Sequence, residues 1–570
     1  MPDINDINGL AVGSINDING VLKADIADIN GLTIPSAAAF LLDTTYGSGA
    51  AAAYSVRKLD KDYTGNCMRI RRDSDGAETD IGFDSSGDLD TAAIASHCGS
   101  ANGYCVTWFD QSGNSANVTQ SASIAQPQIY NGTAVITENG KPALYFNIDK
   151  LGISSVSWGA TRTIFTVLEP VAFDGFDPVF GTRDGSANFA ALVGTTGNYK
   201  MQQHASGQFT NVDTGIAITT DQQLIYTLFD GTGSEIGKDA STAVSVSLKA
   251  ASAGNHSISS RGTDSGDGEF YIQEHIIYTS DQSSNRTAIE TNINSDYLIY
   301  QPTDQPTSGL LYDYGSQSGG TDAAVAYSVR QLSDKAVICM RIRRDSDDEE
   351  RNIGFDANGD LATADIAAFC GTANGYVTRW WDQSTNGNHA DQATDANQPK
   401  IYNGFAVITE NGQAALEFDG TDYLDASSGT VTQPFTIFQV SNLTRQGSFQ
   451  TFYSGIGSRT SDATWGSSTL RVGVYSGQFN VNSSSDLPES QVLMTNLHAT
   501  TSVHRRDGTQ YASGNGGTNN IVDFRIGGIN NANFRFVGTM QSVIFYDSDQ
   551  TSNFTGIETN IDNYFQIPGM

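Results

Sequence analysis

Short stretches in which apolar and polar residues alternate recur along the chain and predict β-strands. Side chains of a strand point alternately to opposite faces, so a period of two marks a strand with one buried face. Aromatic and β-branched residues, which favour strands, are frequent in residues 104–109, 163–167, 274–278, 376–381, 436–440 and 542–546. We therefore expect antiparallel sheets packed face to face.

Helical spacing is confined to a few short segments. Asp90 is a suitable N-cap for a helix over residues 91–98, and Gly99 is a suitable stop. Ile289, Ile293 and Tyr297 are spaced to share one face of another helix. The pattern therefore predicts an all-β protein with few helices.

The chain contains the same domain twice. Residues 67–75 return unchanged as 339–347, and residues 134–140 return as 406–412, in both cases 272 positions later. Pro302 lies in a short linker between the copies. We predict one β-sandwich over residues 37–302, the first copy, and another over residues 303–570, the second copy.

Ahead of both copies, Ile-Asn-Gly recurs at residues 7–9, 18–20 and 29–31, with a spacing of 11. Asn-Gly is a strong turn signal and excludes one continuous helix. Because so short a segment cannot bury its isoleucines alone, we expect residues 1–36 to be an anchor covered by a partner or by sister subunits. A disordered leader is the alternative.

The charge balance narrows the choice of partners. The chain has 63 acidic and 31 basic residues, a net charge of −32, which repels nucleic-acid backbones and anionic lipid surfaces. It has neither a recognisable signal peptide nor an apolar run of membrane-spanning length. We therefore expect no nucleic-acid partner, no membrane insertion and no export by a signal peptide.

Five cysteines are too few for a disulfide framework. Cys98 and Cys105 are close enough in sequence to form a disulfide, but the second copy has Cys370 and then Val377 at the matching positions. A disulfide and a pair of buried thiols both remain open.

One segment of each copy carries a family resemblance. Residues 106–114 read Val-Thr-Trp-Phe-Asp-Gln-Ser-Gly-Asn and are followed by Gln-Pro at 126–127, and residues 380–399 repeat this order. Together with an upstream Arg-Asp-Ser-Asp turn and a capped helix, this order resembles the catalytic domain of the α-L-arabinofuranosidase B family. The resemblance implies a concanavalin-like jelly-roll sandwich, and the closing strand and helix also look like laminin-G domains.

The same resemblance gives a test for catalysis. A retaining glycosidase of this family needs two carboxylates about 5–5.5 Å apart, and its acid/base Asp follows an Ile-Gly-Gly motif. Here Ile529 follows that motif in the second copy, and Arg261 is the first-copy counterpart. The segments expected to carry the nucleophile, 192–194 and 470–475, contain no Glu. We therefore expect no enzymatic activity.

The polar residues beside the tryptophan-containing strands are the candidate sugar site. Aromatic faces stack on sugar rings, and amide and carboxylate groups hydrogen-bond their hydroxyls. A structural alternative is that these side chains close the turn on backbone amides. The candidates are Trp108, Asp110, Gln111 and Asn114 in the first copy and Trp380, Trp381, Asp382, Gln383 and Asn386 in the second.

No cofactor is expected, although two glycine turns present oxygen atoms suited to calcium. The candidate calcium ligands are Asp84 and Asp88 in the first copy and Asp356 and Asp360 in the second. Their spacing is not that of an EF-hand loop.

One explanation accounts for three features of the sequence: the lack of a signal peptide, the polar β composition and the anchor repeat. Bacteriophage virion proteins assemble in the host cytoplasm and reach the outside by lysis. We expect a non-enzymatic, homo-oligomeric virion surface protein, such as a capsid decoration, fibre or tail adhesin, that contacts other virion proteins through residues 1–36 and binds glycans. The alternatives are an arabinofuranosidase-like glycoside hydrolase and a purely architectural virion protein.

Overall fold

The computed structural model describes most of both copies and short pieces of the leader. The described residues are 40–153, 158–173, 175–184, 188–205, 207–250, 254–260, 268–315, 323–444, 450–456, 461–465, 471–477, 481–482, 490–529 and 534–570, with six two-residue strands before residue 34. The predicted anchor, 1–36, lies outside the described residues apart from those strands.

The six leader strands form three antiparallel pairs of the same register. They are β1 (Asp6–Ile7), β2 (Leu10–Ala11), β3 (Asp17–Ile18), β4 (Val21–Leu22), β5 (Asp28–Ile29) and β6 (Leu32–Thr33). Each pair is antiparallel and is separated by the Asn-Gly dipeptide. The Asn-Gly residues themselves lie outside the described residues.

The described part of the first copy is built from strands with two helices. The strands are β7 (Ala52–Ser55), β8 (Met68–Arg72), β9 (Glu78–Ile81), β10 (Asn102–Trp108), β11 (Val118–Thr119), β12 (Gln128–Asn131), β13 (Thr137–Glu138), β14 (Lys141–Pro142), β15 (Leu144–Asn147), β16 (Leu151–Ile153), β17 (Arg162–Ala172), β18 (Asp177–Asp184), β19 (Asn188–Gly194), β20 (Asn198–Ala205), β21 (Gln208–Ala217), β22 (Gln223–Phe229), β23 (Ser234–Lys238), β24 (Val244–Val246), β25 (Asn255–Ile258) and β26 (Glu269–Tyr278); the helices are α1 (Thr91–Cys98) and α2 (Arg286–Tyr297).

The second copy repeats this order after a short helix, α3 (Leu310–Asp313). Its strands are β27 (Ala323–Ser328), β28 (Ile338–Arg344), β29 (Glu350–Gly354), β30 (Asn374–Trp380), β31 (Ala390–Asp391), β32 (Lys400–Asn403), β33 (Thr409–Glu410), β34 (Gln413–Ala414), β35 (Leu416–Asp419), β36 (Leu424–Val431), β37 (Phe435–Leu443), β38 (Gln450–Gly455), β39 (Ser461–Trp465), β40 (Arg471–Tyr475), β41 (Val481–Asn482), β42 (Val492–His498), β43 (Ser502–Arg506), β44 (Thr509–Gly514), β45 (Ile521–Ile526) and β46 (Val537–Tyr546); the helices are α4 (Thr363–Cys370) and α5 (Phe554–Phe565).

The two copies share their strand pairing. In the first, β17 lies between β22 and β26, β26 also pairs with β7 and β15, and β18 lies between β19 and β25. In the second, β37 lies between β42 and β46, β46 also pairs with β27 and β35, and β38 lies between β39 and β45. All these pairs are antiparallel. The predicted all-β, jelly-roll-like class is confirmed.

The central strands of each copy are buried on both faces. Every residue of β22 and of β42 is buried. Helix α2 contacts β22 and buries Ile289, Ile293 and Tyr297, the face that the sequence predicts, and α5 contacts β42 in the same way. All residues of these strands are buried because the sheet is covered on both sides and has no face in contact with solvent.

The chain divides into two compact units between Ile299 and Tyr300, three residues before the boundary predicted from the linker proline. Among the described residues, no helix has both the length and the apolar character that crossing a bilayer requires.

Candidate functional site

The Asp-Gln-Ser segment of the first copy is a buried turn. Asp110 is 4% exposed, and its carboxylate accepts hydrogen bonds from the backbone N–H groups of Ala53 (2.8 Å), Ser112 (2.9 Å) and Ala116 (2.9 Å) and from the Ser112 hydroxyl (2.8 Å). All four donors belong to the protein. Asp110 therefore ties the end of β10 to β7.

Gln111 and Asn114 also hydrogen-bond to backbone groups of the protein. Gln111 accepts from the Leu59 N–H (2.8 Å) and donates to the Ser55 carbonyl (3.1 Å), while Asn114 donates to the Ala50 carbonyl (3.0 Å). Trp108 is fully buried. No face of its ring is open to stack on a sugar.

The second copy repeats this network atom for atom. Asp382 accepts from the N–H groups of Ala326 (2.8 Å), Ser384 (2.9 Å) and Asn388 (3.0 Å), and it is fully buried. Gln383 and Asn386 bond to β27 and to the chain next to it, and Trp380 and Trp381 are buried. Seven of the nine candidate residues are buried, and the exposed Asn114 and Asn386 donate to backbone carbonyl groups. These contacts favour the structural alternative for both segments, and sugar binding there stays a prediction.

The two predicted calcium loops are also closed by backbone amides. Asp84 Oδ1 accepts from the N–H groups of Ser86 (2.8 Å) and Asp88 (3.1 Å), and Asp356 Oδ1 accepts from Asn358 (2.8 Å) and Asp360 (3.0 Å). Within the ranges given above, no group of three or more His, Cys, Asp and Glu side chains is arranged to hold a metal ion. Asp84 and Asp356 therefore have a structural role as turn formers.

Cys98 and Cys105 are both buried free thiols. Burial raises the pKa of each thiol. Of the two alternatives that the sequence leaves open, the structure has the buried thiols.

A polar cleft of about 460 Å³ opens on the outer surface of β30, β32 and β35 in the second copy. We call it the second-copy cleft. Its walls carry both signs of charge around one aromatic ring, and its lining is Arg343, Asp345, Tyr376, Asp395, Ala396, Gln398, Lys400, Glu417, Asp419 and Asp422.

Two carboxyl groups of this cleft lie on one tight turn after β35. Burial raises the pKa of Asp422 to about 7, although its Oδ2 accepts a hydrogen bond from the Asp419 N–H (2.8 Å). Burial also acts on Asp419, but hydrogen bonds from Thr421 and from the Asp422 carboxyl hold the pKa of Asp419 below its usual value. Asp419 is therefore ionised at neutral pH, whereas Asp422 changes from mostly protonated to mostly ionised as the pH rises through about 7.

Two basic residues, Arg343 and Lys400, line the opposite wall of the second-copy cleft. Arg343 Nε lies 3.5 Å from Asp395 Oδ1 and donates to Gln398 Oε1 (2.9 Å). Lys400 Nζ lies 3.9 Å from Glu417 Oε2. Both cations lie over the Tyr376 ring, at 5.4 and 5.6 Å from its centroid. Carboxylates, cations and a ring edge together are suited to hydroxyl-rich ligands.

The matching surface of the first copy has lost most of this charge. Ser123, Gln128, Tyr145 and Asn147 stand where the second copy has Asp395, Lys400, Glu417 and Asp419. Asp149 keeps the place of Asp422: its Oδ2 accepts from the Asn147 N–H (3.1 Å), and burial raises its pKa to about 6. Motifs shared by the two copies do not reveal the cleft, because its charged residues occur in the second copy and are replaced in the first.

The residues that argued against catalysis lie elsewhere. Ile529 is half-buried after β45, Arg261 lies outside the described residues, and residues 192–194 and 471–475 belong to β19 and β40. They were compared with the family's catalytic residues only through a motif late in each copy.

Comparison with known proteins gives a family match to both copies. The model of the catalytic domain of α-L-arabinofuranosidase B matches residues 43–147 and 312–422, less than half of the chain. The predicted resemblance is thereby confirmed. The second match contains every residue of the second-copy cleft and ends at Asp422, whereas Ile529 and Arg261 lie outside both matches.

Solved structures that are similar to parts of the chain include two arabinofuranosidases and a laminin. An α-L-arabinofuranosidase soaked with a cyclic sulfate inhibitor is 14% identical, with a TM-score of 0.36 over 66% of this chain and 80% of that chain. An arabinofuranosidase complexed with arabinofuranosyl-α-1,2-xylobiose is 14% identical, with a TM-score of 0.35 over 81% and 91%. Domains LG4-5 of the mouse laminin α1 chain are 10% identical, with a TM-score of 0.21 over 69% and 85%. No curated protein sequence matches the chain.

The expectation of a non-enzymatic protein is wrong. It rested on Ile529 and Arg261, which lie outside the matched segments, whereas the segments that do match belong to a catalytic domain. The match points to a glycoside hydrolase.

Buried histidines give the first copy a pH-dependent stability. His275 and His256 are fully buried, their Nε2 atoms lie 2.9 Å apart, and burial lowers the pKa of His275 to about 3. The unfolded chain takes up this proton below about pH 6.5 and the folded chain only near pH 3, so stability is lost as the pH falls through that window.

We therefore expect the free energy of unfolding of the first copy to fall by about 1.4 kcal/mol per pH unit for each such histidine between pH 6.5 and 3. The variant His275→Gln removes one of these protons and is expected to reduce the slope by about that amount. Urea denaturation across this pH range measures it, and an unchanged slope in the variant would contradict the assignment.

Proposed function

We propose that the chain is a glycoside hydrolase of the arabinofuranosidase B type that acts at the second-copy cleft on glycans bearing terminal arabinofuranosyl groups. The observation that carries the proposal is the match of a catalytic-domain model to a segment that holds the whole carboxylate-lined cleft. Glycan recognition is part of the same proposal.

Asp422 is the proton donor in this proposal. Hydrolysis of a glycoside requires an acid that protonates the leaving oxygen, and its pKa must lie near the working pH. Burial raises the pKa of Asp422 to about 7, which meets this requirement. Ionised Asp419 holds the proton on Asp422 through the hydrogen bond between the two carboxyl groups, so Asp419 is a positioning residue.

A second carboxylate must act on the sugar from the other side of the cleft, as nucleophile in a retaining reaction. Two further carboxylates of the cleft, Glu417 and Asp395, are candidates because each lies beside a cation and is partly exposed. The Glu417 side chain is 49% exposed beside Lys400, and the Asp395 side chain is 61% exposed beside Arg343. The variants Glu417→Gln and Asp395→Asn distinguish them, because only loss of the nucleophile removes the covalent route.

The experiment that tests the proposal is release of arabinose from an arabinofuranosyl-substituted xylo-oligosaccharide, measured by chromatography of the products. We expect arabinose and an unsubstituted xylo-oligosaccharide. Unchanged substrate after prolonged incubation at high protein concentration would contradict the proposal.

The pH dependence of this activity follows from Asp422. Because the acid must be protonated, kcat/KM for the wild-type chain is expected to fall above about pH 7 with the loss of one proton. A pH–rate profile that stays flat from pH 6 to 9 would rule out Asp422 as the acid.

The virion setting remains a proposal, with residues 1–36 as the contact to other virion proteins and the copies exposed on the particle. The three short strand pairs of the leader, each too small to be stable alone, support an anchor that is covered by a partner.

Removal of residues 1–36 is expected to leave the melting temperature of both copies unchanged within about 2 °C, because the buried core of the described residues begins at Leu41. The same variant is expected to be absent from purified particles. Normal incorporation of the truncated chain would place the anchor elsewhere.

A further inference from the structure

A buried ion pair of the first copy has no equivalent in the second. In the first copy, Arg57 Nε and Nη2 donate to the two carboxylate oxygens of Glu274, at 2.8 and 3.0 Å. The hydroxyl groups of Ser55 (2.6 Å) and Tyr297 (3.2 Å) donate to the same carboxylate, and Glu274 is fully buried. This carboxylate is therefore the counter-charge of the first-copy arginine.

The second copy keeps the arginine, as Arg330, and lacks the carboxylate. Ser542 is opposite Ser328 in the strand pair β46–β27, at the position where Glu274 is opposite Ser55 in the pair β26–β7. Ser542 is buried, and its hydroxyl donates to a backbone carbonyl (3.3 Å). The place of the first-copy carboxylate therefore has no acidic side chain in the second copy.

The helix beside this place changes as well. Phe565 ends α5 where Tyr297 ends α2, so the hydroxyl that donates to the first-copy carboxylate is missing. Tyr564 stands in the place of Asp296, and its hydroxyl donates to Asp360 (2.6 Å). The second copy thus has neither of the two carboxylates that face the first-copy arginine.

Arg330 presents the same edge of its guanidinium to this place. Its Nη2 donates to Asn560 Oδ1 (2.7 Å), as Arg57 Nη2 donates to Asn292 Oδ1 (3.1 Å). Nε and Nη2 form the edge that binds Glu274 in the first copy. Arg330 Nε is buried and has no hydrogen-bond partner among the described residues. A buried N–H group therefore points to the place of the missing carboxylate.

Within the part of the chain that the structure describes, no carboxylate compensates the charge of Arg330. The Tyr564 and Phe565 rings lie 5.1 and 5.9 Å from its guanidinium carbon. Burial lowers the pKa of Arg330 to about 10; burial also opposes the charge of Arg57, but Glu274 raises the pKa of Arg57 above its usual value. Ring faces replace only part of an ion pair, because an uncompensated buried charge is strongly destabilising.

Open space lies next to this place. The Tyr564 ring, over which the guanidinium lies, lines a cavity of about 520 Å³ between α4, the β33–β34 hairpin and α5, and so does Val329. A small ion can therefore approach to within one side chain of Arg330. No residue of this cavity lines the second-copy cleft, so the site does not depend on the proposed hydrolysis.

We propose that the second copy binds a chloride ion between Arg330 Nε and the Ser328 hydroxyl, in the place that the Glu274 carboxylate has in the first copy. Ser328 Oγ accepts from the Arg330 backbone N–H (3.3 Å), which leaves its O–H to donate to the ion as Ser55 donates to Glu274. A monatomic anion carries the single charge that the arginine requires and needs no more room than the missing carboxylate.

Urea unfolding of the full chain in sodium chloride and in sodium gluconate of equal ionic strength tests the proposal, because gluconate is too large to be enclosed there. Pulsed hydrogen–deuterium exchange with mass spectrometry follows peptides of the two copies separately. We expect the folded-to-unfolded ratio of the second copy to be about tenfold higher in chloride, as for a ligand at about ten times its Kd, and that of the first copy to be unchanged. Equal ratios for the second copy in both salts, or the same shift in both copies, would overturn the proposal.

The matched variant is Ser542→Glu, which restores the first-copy carboxylate and is expected to abolish the difference between the two salts. Arg330→Gln removes the charge and is expected to abolish it as well. The control is Ser346→Glu, which adds the same charge on an exposed turn after β28 and is expected to keep the tenfold effect. Persistence of the chloride effect in Ser542→Glu or in Arg330→Gln would overturn the proposal.

Discussion

Replacing Asp422 by asparagine is expected to lower kcat on arabinofuranosides by about 10²–10⁴-fold, because general acid catalysis typically contributes a factor of this size. The substitution keeps the side-chain volume and an oxygen that accepts from the Asp419 N–H, so the turn after β35 is retained. Steady-state kinetics on an arabinofuranosyl-substituted xylo-oligosaccharide, whose alkoxide leaving group needs the proton, measure the effect, and a loss in kcat with little change in KM identifies an interaction made in the transition state.

The matched control is Asp149→Asn in the first copy. Asp149 lies on the equivalent turn and its pKa is also raised by burial, but the surface around it has lost four charged residues. We expect this variant to keep wild-type kcat. Equal losses in the two variants would show that the turn, rather than the second-copy cleft, is what the substitution disturbs.

Replacing Asp382 by alanine is expected to destabilise the second copy by about 3–5 kcal/mol. Three backbone N–H groups and one hydroxyl lose their acceptor, and each buried unsatisfied donor costs about 1–3 kcal/mol. Chemical denaturation with separate probes for the two copies measures the change.

The control for this variant is Asp365→Ala on the exposed side of α4. That residue is in the first turn of the helix, where its favourable contribution is below about 1 kcal/mol. A loss of less than 1 kcal/mol in Asp382→Ala would contradict the structural role of the buried turn.

Local patterns were enough to predict the all-β class, and the jelly-roll form was implied by the family resemblance. Alternation gave the strands, the spacing of Ile289, Ile293 and Tyr297 gave the buried face of α2, and the internal repeat gave two sandwiches of the same topology. These features depend on periodicity and on short-range turn chemistry, which a single sequence displays directly.

The site was harder to predict because the same residue types serve turns and ligands. Asp110 and Asp382 have the composition of a sugar site, but only the structure shows that backbone amides of a distant strand already occupy them. No motif in the sequence singles out Asp422, because its raised pKa depends on burial in the folded chain. The sequence does indicate the cleft when the two copies are compared position by position, because its charged residues differ between them.

The most direct test of the central claim is an NMR time course of the full chain with an arabinofuranosyl-substituted xylo-oligosaccharide, whose leaving oxygen must be protonated, followed by the same experiment with Asp422→Asn. We predict that the anomeric signal of the glycoside disappears and those of free arabinose grow with wild type, and that the variant leaves the substrate intact on the same timescale. An unchanged glycoside signal with wild type, or equal rates for wild type and variant, would contradict the assignment of the second-copy cleft as a hydrolase site.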